Sequence, residues 1–362
     1  MYLTGLLSWP DWHRIRRSGA LSTEDVFQRP LQDLRISVTD RCNFRCVYCM
    51  PKELFGSDYP FLARRELLSF EEITRLTRVF ADLGVRKLRI TGGEPLVRKD
   101  LPHLIEMLAN IDGIEDITLT TNASLLPQHA QALADAGLNR VTVSLDAIDD
   151  DVFKAVNDVN YPVQPVLDGI EAASRVGLNP VKVNMVVKRG MNEGQIVPMA
   201  EYFRHTSHIL RYIEFMDVGN TNGWRLDDVV TAEQIRDELD AVWPIEPLDP
   251  NYTGEVASRY RYRDGGGEIG IISSVSEPFC STCTRARLAS QGQLFTCLFA
   301  GQGHDLRTPL RDENVDDAQL AAIIQRIWRN REDRYSELRT NNTAPIEGKP
   351  LQWKVEMSHV GG

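Results

Sequence analysis

The sequence predicts an α/β fold in which a partial, open (β/α)6 barrel is followed by a smaller C-terminal region. Six short apolar strand candidates alternate with helical patterns, the order expected of a parallel sheet with helical crossovers. Ser69 and Glu72 form a capping box before a helix that Gly84 can end, and the helical patterns at 127–137 and 164–177 also end at glycines. Six units rather than eight indicate an open barrel. The length of 362 residues is enough for this barrel and a second domain.

Polar residues recur at every second position in five of the six strand candidates. The candidates are 34–38, 87–91, 116–121, 140–145, 181–187 and 209–216. The polar pairs are Arg35/Ser37, Arg89/Thr91, Thr118/Thr120, Thr142/Ser144 and Lys182/Asn184. Residues two apart in a strand share one face, and polar groups without partners are costly to bury. The pattern therefore predicts a wet or ligand-filled barrel interior. Arg211 and Met216 have opposite parity, so a bulge or a strand end is expected between them.

The composition predicts a soluble cytoplasmic protein that acts on neither nucleic acid nor membranes. Hydrophobic residues make up 42% and charged residues 25%, which is ordinary for globular domains, and no apolar run has the length of a membrane span. Within 1–20 the apolar residues precede the basic cluster 13–17, the reverse of a secretory signal. The net charge of −10 argues against nonspecific nucleic-acid binding. An anionic substrate would therefore need a local group of Arg and Lys.

Cys42, Cys46 and Cys49 have the spacing C-x3-C-x2-C. Three thiolates leave one iron of a [4Fe–4S] cluster without a protein ligand, whereas electron-transfer clusters normally take four. S-adenosylmethionine can chelate that iron and be cleaved by a cluster electron to a 5′-deoxyadenosyl radical. A zinc site is the alternative, but no fourth Cys or His is close in the sequence. The motif resembles that of the radical S-adenosylmethionine superfamily.

Gly92, Gly93 and Glu94 follow the second strand candidate directly. Glycines allow a ligand to approach the backbone closely, and a carboxylate can accept a hydrogen bond from an ammonium group. A Gly-Gly pair can equally be a simple turn. The superfamily resemblance implies an S-adenosylmethionine contact here. The implied cofactor-binding residues are Tyr48, Gly93, Glu94, Ser144 and Met216.

A second incomplete set of thiols lies near the C-terminal end: Cys280, Cys283 and Cys297. A zinc site could recruit His304 as its fourth ligand. An auxiliary iron–sulfur cluster could instead bind substrate through its open iron. Arg285 and Arg287 are beside these cysteines, and their guanidinium groups suit phosphate or base oxygens.

The two cysteine sets, residues 91–95, the strand leading into the first set and the Gly361-Gly362 pair together resemble the GTP 3′,8-cyclase family, or molybdenum cofactor biosynthesis protein A, from about residue 25 onwards. The resemblance implies a lyase with two [4Fe–4S] clusters and S-adenosylmethionine. The implied cluster ligands are Cys42, Cys46, Cys49, Cys280, Cys283 and Cys297. The implied GTP contacts are Arg35, Arg89, Thr120, Lys182, Arg285, Ala286 and Arg287. The implied catalytic residues are Arg285, Arg287, Gly361 and Gly362.

The predicted organisation is a flexible extension at 1–24, a radical S-adenosylmethionine barrel at 25–218 and an auxiliary-cluster domain at 219–362. The sequence departs from the family pattern at Ala123, where Gly is common, at Val360, where Ile is common, and in the extension. None of these departures removes a cysteine. The role of the extension stays open.

The chemistry implied by the resemblance starts molybdenum cofactor biosynthesis. The radical abstracts the ribose 3′ hydrogen of GTP, C3′ attacks C8, and 3′,8-cyclo-7,8-dihydroguanosine triphosphate results. The implied partners are a flavodoxin or ferredoxin as electron donor, cyclic pyranopterin monophosphate synthase as recipient of the product, and a second copy in a homodimer. Two alternatives are a radical S-adenosylmethionine enzyme that modifies a peptide and a nonenzymatic metal-dependent regulator or electron carrier.

Overall fold

A computed structural model describes residues 23–339 and 354–361 of the chain. Its centre is a sheet of twelve strands in the order β12-β11-β10-β1-β2-β3-β4-β5-β6-β9-β8-β7. The strands are β1 Asp33–Ser37, β2 Lys87–Thr91, β3 Asp116–Thr121, β4 Arg140–Ser144, β5 Lys182–Val187, β6 Ile209–Glu214, β7 Ile245–Leu248, β8 Ser258–Tyr262, β9 Glu268–Ile272, β10 Arg285–Leu288, β11 Gln293–Phe295 and β12 His304–Asp305.

Eight neighbouring strands, β10, β1 to β6 and β9, run parallel. The two edges are completed by antiparallel strands, β11 and β12 beside β10 and β8 and β7 beside β9. The C-terminal part of the chain therefore extends the barrel sheet at both edges. In the register of β10 on β1, Arg287 lies opposite Arg35.

The helices follow the strands in a repeating βα order through the first part of the chain. They are α1 Phe70–Asp82, α2 Leu101–Ala109, α3 Leu126–Asp135, α4 Asp150–Asn157, α5 Gln164–Arg175, α6 Ile196–Phe203, α7 Ala232–Val242, α8 Arg307–Arg311, α9 Asp317–Arg329, α10 Tyr335–Arg339 and α11 Met357–Val360. The predicted capping box is present: Ser69 Oγ accepts from the Glu72 main-chain N–H at 3.1 Å. No described helix has both the length and the apolar character needed to cross a bilayer.

Side chains alternate along the strands between two faces, one packed in the apolar core and the other lining the polar interior of the barrel. In β1, Leu34 and Ile36 are fully buried in the hydrophobic core, while Arg35 lines a cavity on the other face. Every member of the five predicted polar pairs lines a cavity except Ser37, whose hydroxyl donates to the Thr39 carbonyl at 3.3 Å. The predicted polar barrel interior is confirmed.

The six predicted strands and their order are confirmed, with ends that differ by up to two residues. β6 ends at Glu214, so Met216 lies beyond the strand and its opposite parity to Arg211 needs no bulge. Parallel neighbours β9 and β10 were not predicted. The domain division at residue 218 stays a prediction. The predicted extension lies outside the described residues apart from Thr23 and Glu24, and the Thr23 carbonyl accepts from the Leu31 main-chain N–H at 2.9 Å.

Candidate active site

A cavity of about 280 Å³, here called the main cavity, is lined by all six cysteines. It is also lined by most of the residues that the sequence singled out. These are Arg35, Tyr48, Arg89, Gly93, Glu94, Thr120, Ser144, Met216, Arg285 and Arg287. The fold thus brings two cysteine sets, far apart in the chain, to one cavity.

The two cysteine sets lie at opposite ends of this cavity. Cys42, Cys46 and Cys49, here called the first site, follow the carboxyl end of β1. Cys280, Cys283 and Cys297, the second site, lie beside the amino end of β10, since two of them precede that strand and the third follows antiparallel β11. β1 spans about 13 Å between these ends, at about 3.3 Å per residue.

The first site is a tight loop of main chain surrounded by carboxylates. The Cys46 carbonyl accepts from the Cys49 and Met50 N–H groups at 2.9 Å each, and Arg45 Nη1 donates to the Cys42 carbonyl at 2.8 Å. Burial, with the Glu94 charge as the next cause, raises the pKa of Cys42 to about 12. Burial also raises the pKa of Cys46 well above its usual range, with Asp146 adding to the shift. The protein thus leaves the negative charge of these thiolates to be balanced by a bound cation or cluster.

Gly93 and Glu94 hold the first-site loop against the end of β2. The Gly93 N–H donates to the Thr39 carbonyl and the Glu94 N–H to the Arg41 carbonyl, both at 2.8 Å. A Cβ on Gly93 would collide with the Arg41 carbonyl. Gly93 therefore permits, first of all, close packing of the end of β2 against the first-site loop, rather than the approach of a ligand. The Glu94 carboxylate accepts from Thr121 Oγ1 at 2.7 Å and from the Asn122 N–H at 2.7 Å, and burial raises its pKa to about 7.

The other proposed S-adenosylmethionine contacts line the same end of the cavity. Tyr48 Oη donates to Asp146 Oδ2 at 2.8 Å, and the Val186 N–H donates to Asp146 Oδ1 at 2.9 Å. Burial raises the pKa of Asp146 to about 6. Ser144, at the end of β4, and Met216 are half-buried on the cavity wall. Asp146 has no counterpart among the sequence predictions, although it lies two residues after Ser144 with the same parity.

The second site is surrounded by arginines. Arg331 Nη2 donates to Cys283 Sγ at 3.2 Å, and Arg285 lies close to the same thiol. Burial alone would raise the pKa of Cys283, but the Arg285 and Arg331 charges outweigh it and lower that pKa to about 7. Burial and Asp333 raise the pKa of Cys297 to about 12. His304, the alternative zinc ligand, is exposed on β12 and does not line the cavity. Three thiols with a hydrogen-bond donor on one sulfur suit an iron–sulfur cluster with an open iron.

Between the two sites, basic side chains crowd the barrel interior and continue into a smaller cavity of about 50 Å³ at the amino ends of the strands. Arg35, Arg89, Arg211 and Arg285 line both cavities, and Lys182 lines the smaller one. Among the described residues, none of these five nor Arg287 forms an ion pair with a carboxylate. Arg211 and Arg287 are buried and the other four are half-buried, and cations without paired carboxylates repel one another, so the arrangement favours a bound anion.

The lowered pKa values of this cation group reflect its burial and the repulsion between its members. Burial, followed by the charge of Arg211, lowers the pKa of Lys182 to about 7. Burial and Arg89 lower the pKa of Arg211 to about 9, and burial and Arg285 lower the pKa of Arg287 to about 10. Arg89 Nη1 donates to Thr120 Oγ1 at 3.2 Å, so two of the residues that the sequence predicted as GTP contacts bind each other. Ala286 differs, because its side chain is fully buried in the core behind β10.

Four basic residues that line these cavities were not predicted as site residues: Lys87, Arg140, Arg211 and Arg331. Lys87 and Arg140 begin β2 and β4, two residues before Arg89 and Thr142, so extending the parity argument by one step would have found both. Both lie near Asp116, whose carboxylate is 3.9 Å from Lys87 Nζ and directly paired with Arg140. Lys87 Nζ also lies 3.7 Å from the centre of the Tyr252 ring.

The segment 354–361 reaches into the barrel from the C-terminal side. Arg287 Nη1 donates to the Gly361 carbonyl and, at 3.4 Å, to the Val360 carbonyl. Gly361 has φ +68°, and a Cβ there would collide with Thr91 Cγ2. A larger residue cannot occupy this position without displacing Thr91 or the segment. Gly362, also predicted to be catalytic, lies outside the described residues.

Comparison with known proteins agrees with this geometry. The Radical SAM superfamily matches residues 36–203 and the Molybdenum Cofactor Synthesis C family matches residues 208–337. The GTP 3′,8-cyclase of Acidothermus cellulolyticus is 52% identical over 356 residues, covering 93% of this chain and 98% of that protein. The GTP 3′,8-cyclase of Staphylococcus epidermidis is 50% identical over 340 residues, covering 94% of this chain and 98% of that protein.

Among solved structures, SuiB of Streptococcus suis, bound to S-adenosylmethionine, superposes with a TM-score of 0.58 at 14% identity, covering 82% of this chain and 68% of that one. At this identity the likeness shows a shared fold. The same protein bound to its precursor peptide SuiA superposes with the same TM-score of 0.58, at 15% identity. Because a likeness at this identity shows the fold alone, the bound peptide does not favour the peptide-modifying alternative for this chain. With half of its residues identical to named cyclases over nearly its whole length, the chain belongs to the GTP 3′,8-cyclase family of radical S-adenosylmethionine enzymes, which are lyases.

Proposed function

We propose that the main cavity is where this chain cyclises GTP to 3′,8-cyclo-7,8-dihydroguanosine 5′-triphosphate, the first step of molybdenum cofactor biosynthesis. One observation carries the proposal: two three-cysteine sites and a group of buried and half-buried cations without ion-pair partners line a single barrel interior. A peptide substrate would leave those cations without partners. A nucleoside triphosphate balances them.

The first site fits a [4Fe–4S] cluster that binds S-adenosylmethionine. When bound, this pair supplies a 5′-deoxyadenosyl radical, which abstracts a hydrogen from the substrate. The proposed role of Cys42, Cys46 and Cys49 is to hold the cluster. Tyr48, Gly93, Glu94, Ser144 and Met216 would line the S-adenosylmethionine pocket, because all five face the cavity at the first-site end.

The proposed GTP contacts lie between the two sites. Arg35, Arg89 and Lys182 would hold the triphosphate, with Thr120 positioned by its hydrogen bond to Arg89. Arg285 and Arg287 lie beside the second site, where a second [4Fe–4S] cluster on Cys280, Cys283 and Cys297 would hold the guanine. Ala286 can contribute only through its main chain, because its side chain faces the core. Holding both ends of GTP fixes the ribose relative to the first site and so lowers the entropic cost of the reaction.

The Gly361-Gly362 pair is proposed to complete the site from the C-terminal segment. The Gly361 carbonyl accepts a hydrogen bond from Arg287, which fixes the direction of that guanidinium. A flavodoxin or ferredoxin as electron donor, transfer of the product to cyclic pyranopterin monophosphate synthase, a homodimer and a cytoplasmic location complete the proposal.

The test is anaerobic reconstitution with iron, sulfide, reductant and S-adenosylmethionine, followed by incubation with GTP, ATP or a peptide. We expect 5′-deoxyadenosine and a cyclised nucleotide with GTP alone, identified by mass spectrometry and by transfer of deuterium from 3′-deuterated GTP into 5′-deoxyadenosine. Two clusters should be present per chain. Equal turnover of ATP and GTP, or deuterium transfer from a peptide, would contradict the proposal.

A further inference from the structure

The second site is held by a buried ionic group that is remote from it in sequence. Asp25, Arg29 and Arg331 form the group, and the side chains of all three are at most 2% exposed. Arg29 Nε lies 2.6 Å from Asp25 Oδ2, and Arg331 Nη1 lies 3.2 Å from the same oxygen. One carboxylate oxygen thus binds two guanidinium groups. A second carboxylate, that of Asp333, lies 3.5 Å from Arg331 Nε and is 31% exposed, so the two guanidinium groups are matched by one buried and one partly exposed carboxylate.

Several other donors of the two arginines bind the segments that carry the second-site cysteines, and Arg29 Nη1 also donates to the Asp333 carbonyl at 2.9 Å. Arg331 Nη1 donates to the Cys283 carbonyl at 2.8 Å, and Arg331 Nε donates to the Thr296 carbonyl, next to Cys297, at 3.1 Å. Arg29 Nη1 donates to the Cys280 carbonyl at 2.8 Å. The arginines thereby fix the main chain at or next to each of the three cysteines.

One further donor binds a cysteine sulfur rather than the main chain. Arg331 Nη2 donates to Cys283 Sγ at 3.2 Å, and Arg331 also lines the main cavity. Arg29 Nη2 is buried and has no hydrogen-bond partner among the described residues. A buried arginine that served only the fold would be expected to donate to oxygen atoms, because an unpartnered buried charge is costly. Arg331 Nη2 donates instead to a sulfur, and a thiolate is the form of cysteine that accepts such a hydrogen bond well.

The electrostatic consequence follows from the charge of an iron–sulfur centre. Its thiolates make the centre net negative, and one added electron makes it more so. A nearby buried cation and a hydrogen bond to a ligand sulfur both stabilise the reduced form, and these are recognised determinants of cluster potential. Within the described residues the first site has no comparable donor, since the hydrogen bonds recorded to Cys42 Sγ come from the Phe44 N–H and Asn122 Nδ2, at 3.4 and 3.9 Å.

We propose that Arg331, held by Asp25, is a positioning residue of the second site, and that its hydrogen bond to Cys283 Sγ raises the reduction potential of the cluster bound there. This inference rests on the proposed second cluster. It adds residues from both ends of the described chain, which the sequence places 306 positions apart.

The test measures midpoint potentials by EPR-monitored redox titration of the full, anaerobically reconstituted chain. A Cys42→Ala, Cys46→Ala, Cys49→Ala background leaves signal from the second site alone. Arg331→Gln should shift the potential to more negative values, and Asp25→Asn, whose amide oxygen can still accept from Arg331 but which carries no negative charge, should shift it in the opposite direction. Arg326→Gln removes the same charge from an exposed position of α9 and should leave the potential unchanged.

Iron, sulfide and circular dichroism measurements separate the possible failures. A potential in Arg331→Gln that equals that of Arg326→Gln, at matched iron content, overturns the inference while the second cluster stands. No iron or sulfide at the second site of the unmutated chain overturns the second cluster and the inference together. If Arg331→Gln does not fold, Arg331→Lys decides: retained iron with a potential below the wild-type value supports the hydrogen bond, and an unchanged potential overturns it.

Discussion

The two cysteine sites have the same number of thiols but opposite electrostatic surroundings. Glu94 and Asp146 lie close to the first site, and burial together with these carboxylates raises the pKa values of its thiols. Arg285 and Arg331 lie close to the second site and lower the pKa of Cys283 despite its burial, whereas burial and Asp333 raise the pKa of Cys297 in the same site. The pKa of Cys283 is therefore shifted in the opposite direction to those of Cys42 and Cys46, by neighbours from other parts of the chain.

This difference indicates a division of roles between the sites. Negative charges near a cluster oppose the addition of an electron to it. Once reduced, such a cluster is a stronger reductant, and cleavage of the sulfonium of S-adenosylmethionine requires a strong reductant. Positive surroundings attract an anionic substrate and stabilise added negative charge. The first site is thus suited to generate a radical, and the second to hold GTP.

Replacing cysteines should have the largest effect on activity, and the effect should differ between the two sites. Cys42→Ala, Cys46→Ala or Cys49→Ala should abolish formation of 5′-deoxyadenosine, because the cluster that binds S-adenosylmethionine would lose a ligand. Cys280→Ala, Cys283→Ala or Cys297→Ala should retain uncoupled formation of 5′-deoxyadenosine but yield no cyclised nucleotide. Both products are quantified by chromatography, with iron content and circular dichroism as controls. Identical behaviour of the two sets, in folded protein, would contradict separate roles.

Removing one basic residue beside the second site should weaken GTP binding. Arg285→Ala or Arg287→Ala should cost about 1.5–3 kcal/mol, the range for a lost charged hydrogen bond. Lys at either position should not restore full affinity, because an ammonium group lacks the planar fork of Arg. Anaerobic equilibrium dialysis measures the affinity, and Arg326→Ala is the exposed control. Unchanged affinity in both Ala variants would move the nucleotide away from the second site.

Gly361, in segment 354–361, contacts Thr91 at the end of β2 and Arg287 beside the second site. A substitution at Gly361 therefore tests whether the two sites are coupled through this segment. Gly361→Ala should push against Thr91 and release Arg287, lowering the rate of GTP cyclisation at least about tenfold, or about 1.4 kcal/mol. Both clusters and formation of 5′-deoxyadenosine should survive. Gly190→Ala is a matched control, because Gly190 has φ +74° but nothing within 4 Å of an added Cβ. Equal rates in the two variants would contradict a role for the contact between position 361 and Thr91.

The smallest effect is expected at Lys182, at the amino ends of the strands. Its pKa of about 7 lies far below the usual value, mainly because of burial. The side chain is therefore charged below pH 7 and becomes neutral above it, so its contribution to triphosphate binding should fall as pH rises. The ratio of wild-type to Lys182→Met affinity should decrease between pH 6 and pH 8.5, by at most about tenfold per pH unit. Using the ratio cancels the titration of GTP itself. A ratio independent of pH would contradict this assignment.

Local patterns predicted the parts of the molecule whose causes are local. The capping box at Ser69 and the alternation in β1 to β5 follow from neighbouring residues, so the six βα units and their polar interior could be predicted. The placement of β10 beside β1 depends on contacts between residues about 250 positions apart, and no short pattern encodes it. Arg331 has no local signal at all, because its role arises only where three distant segments meet.

The most direct test of opposite tuning is an EPR-monitored redox titration of the reconstituted wild-type chain without S-adenosylmethionine or nucleotide. The single-site variants Cys42→Ala and Cys283→Ala assign each signal to its site. The surroundings of the two sites predict that the second-site cluster is reduced at a more positive potential than the first. Equal potentials, or a first-site cluster that is reduced more easily, would contradict the account.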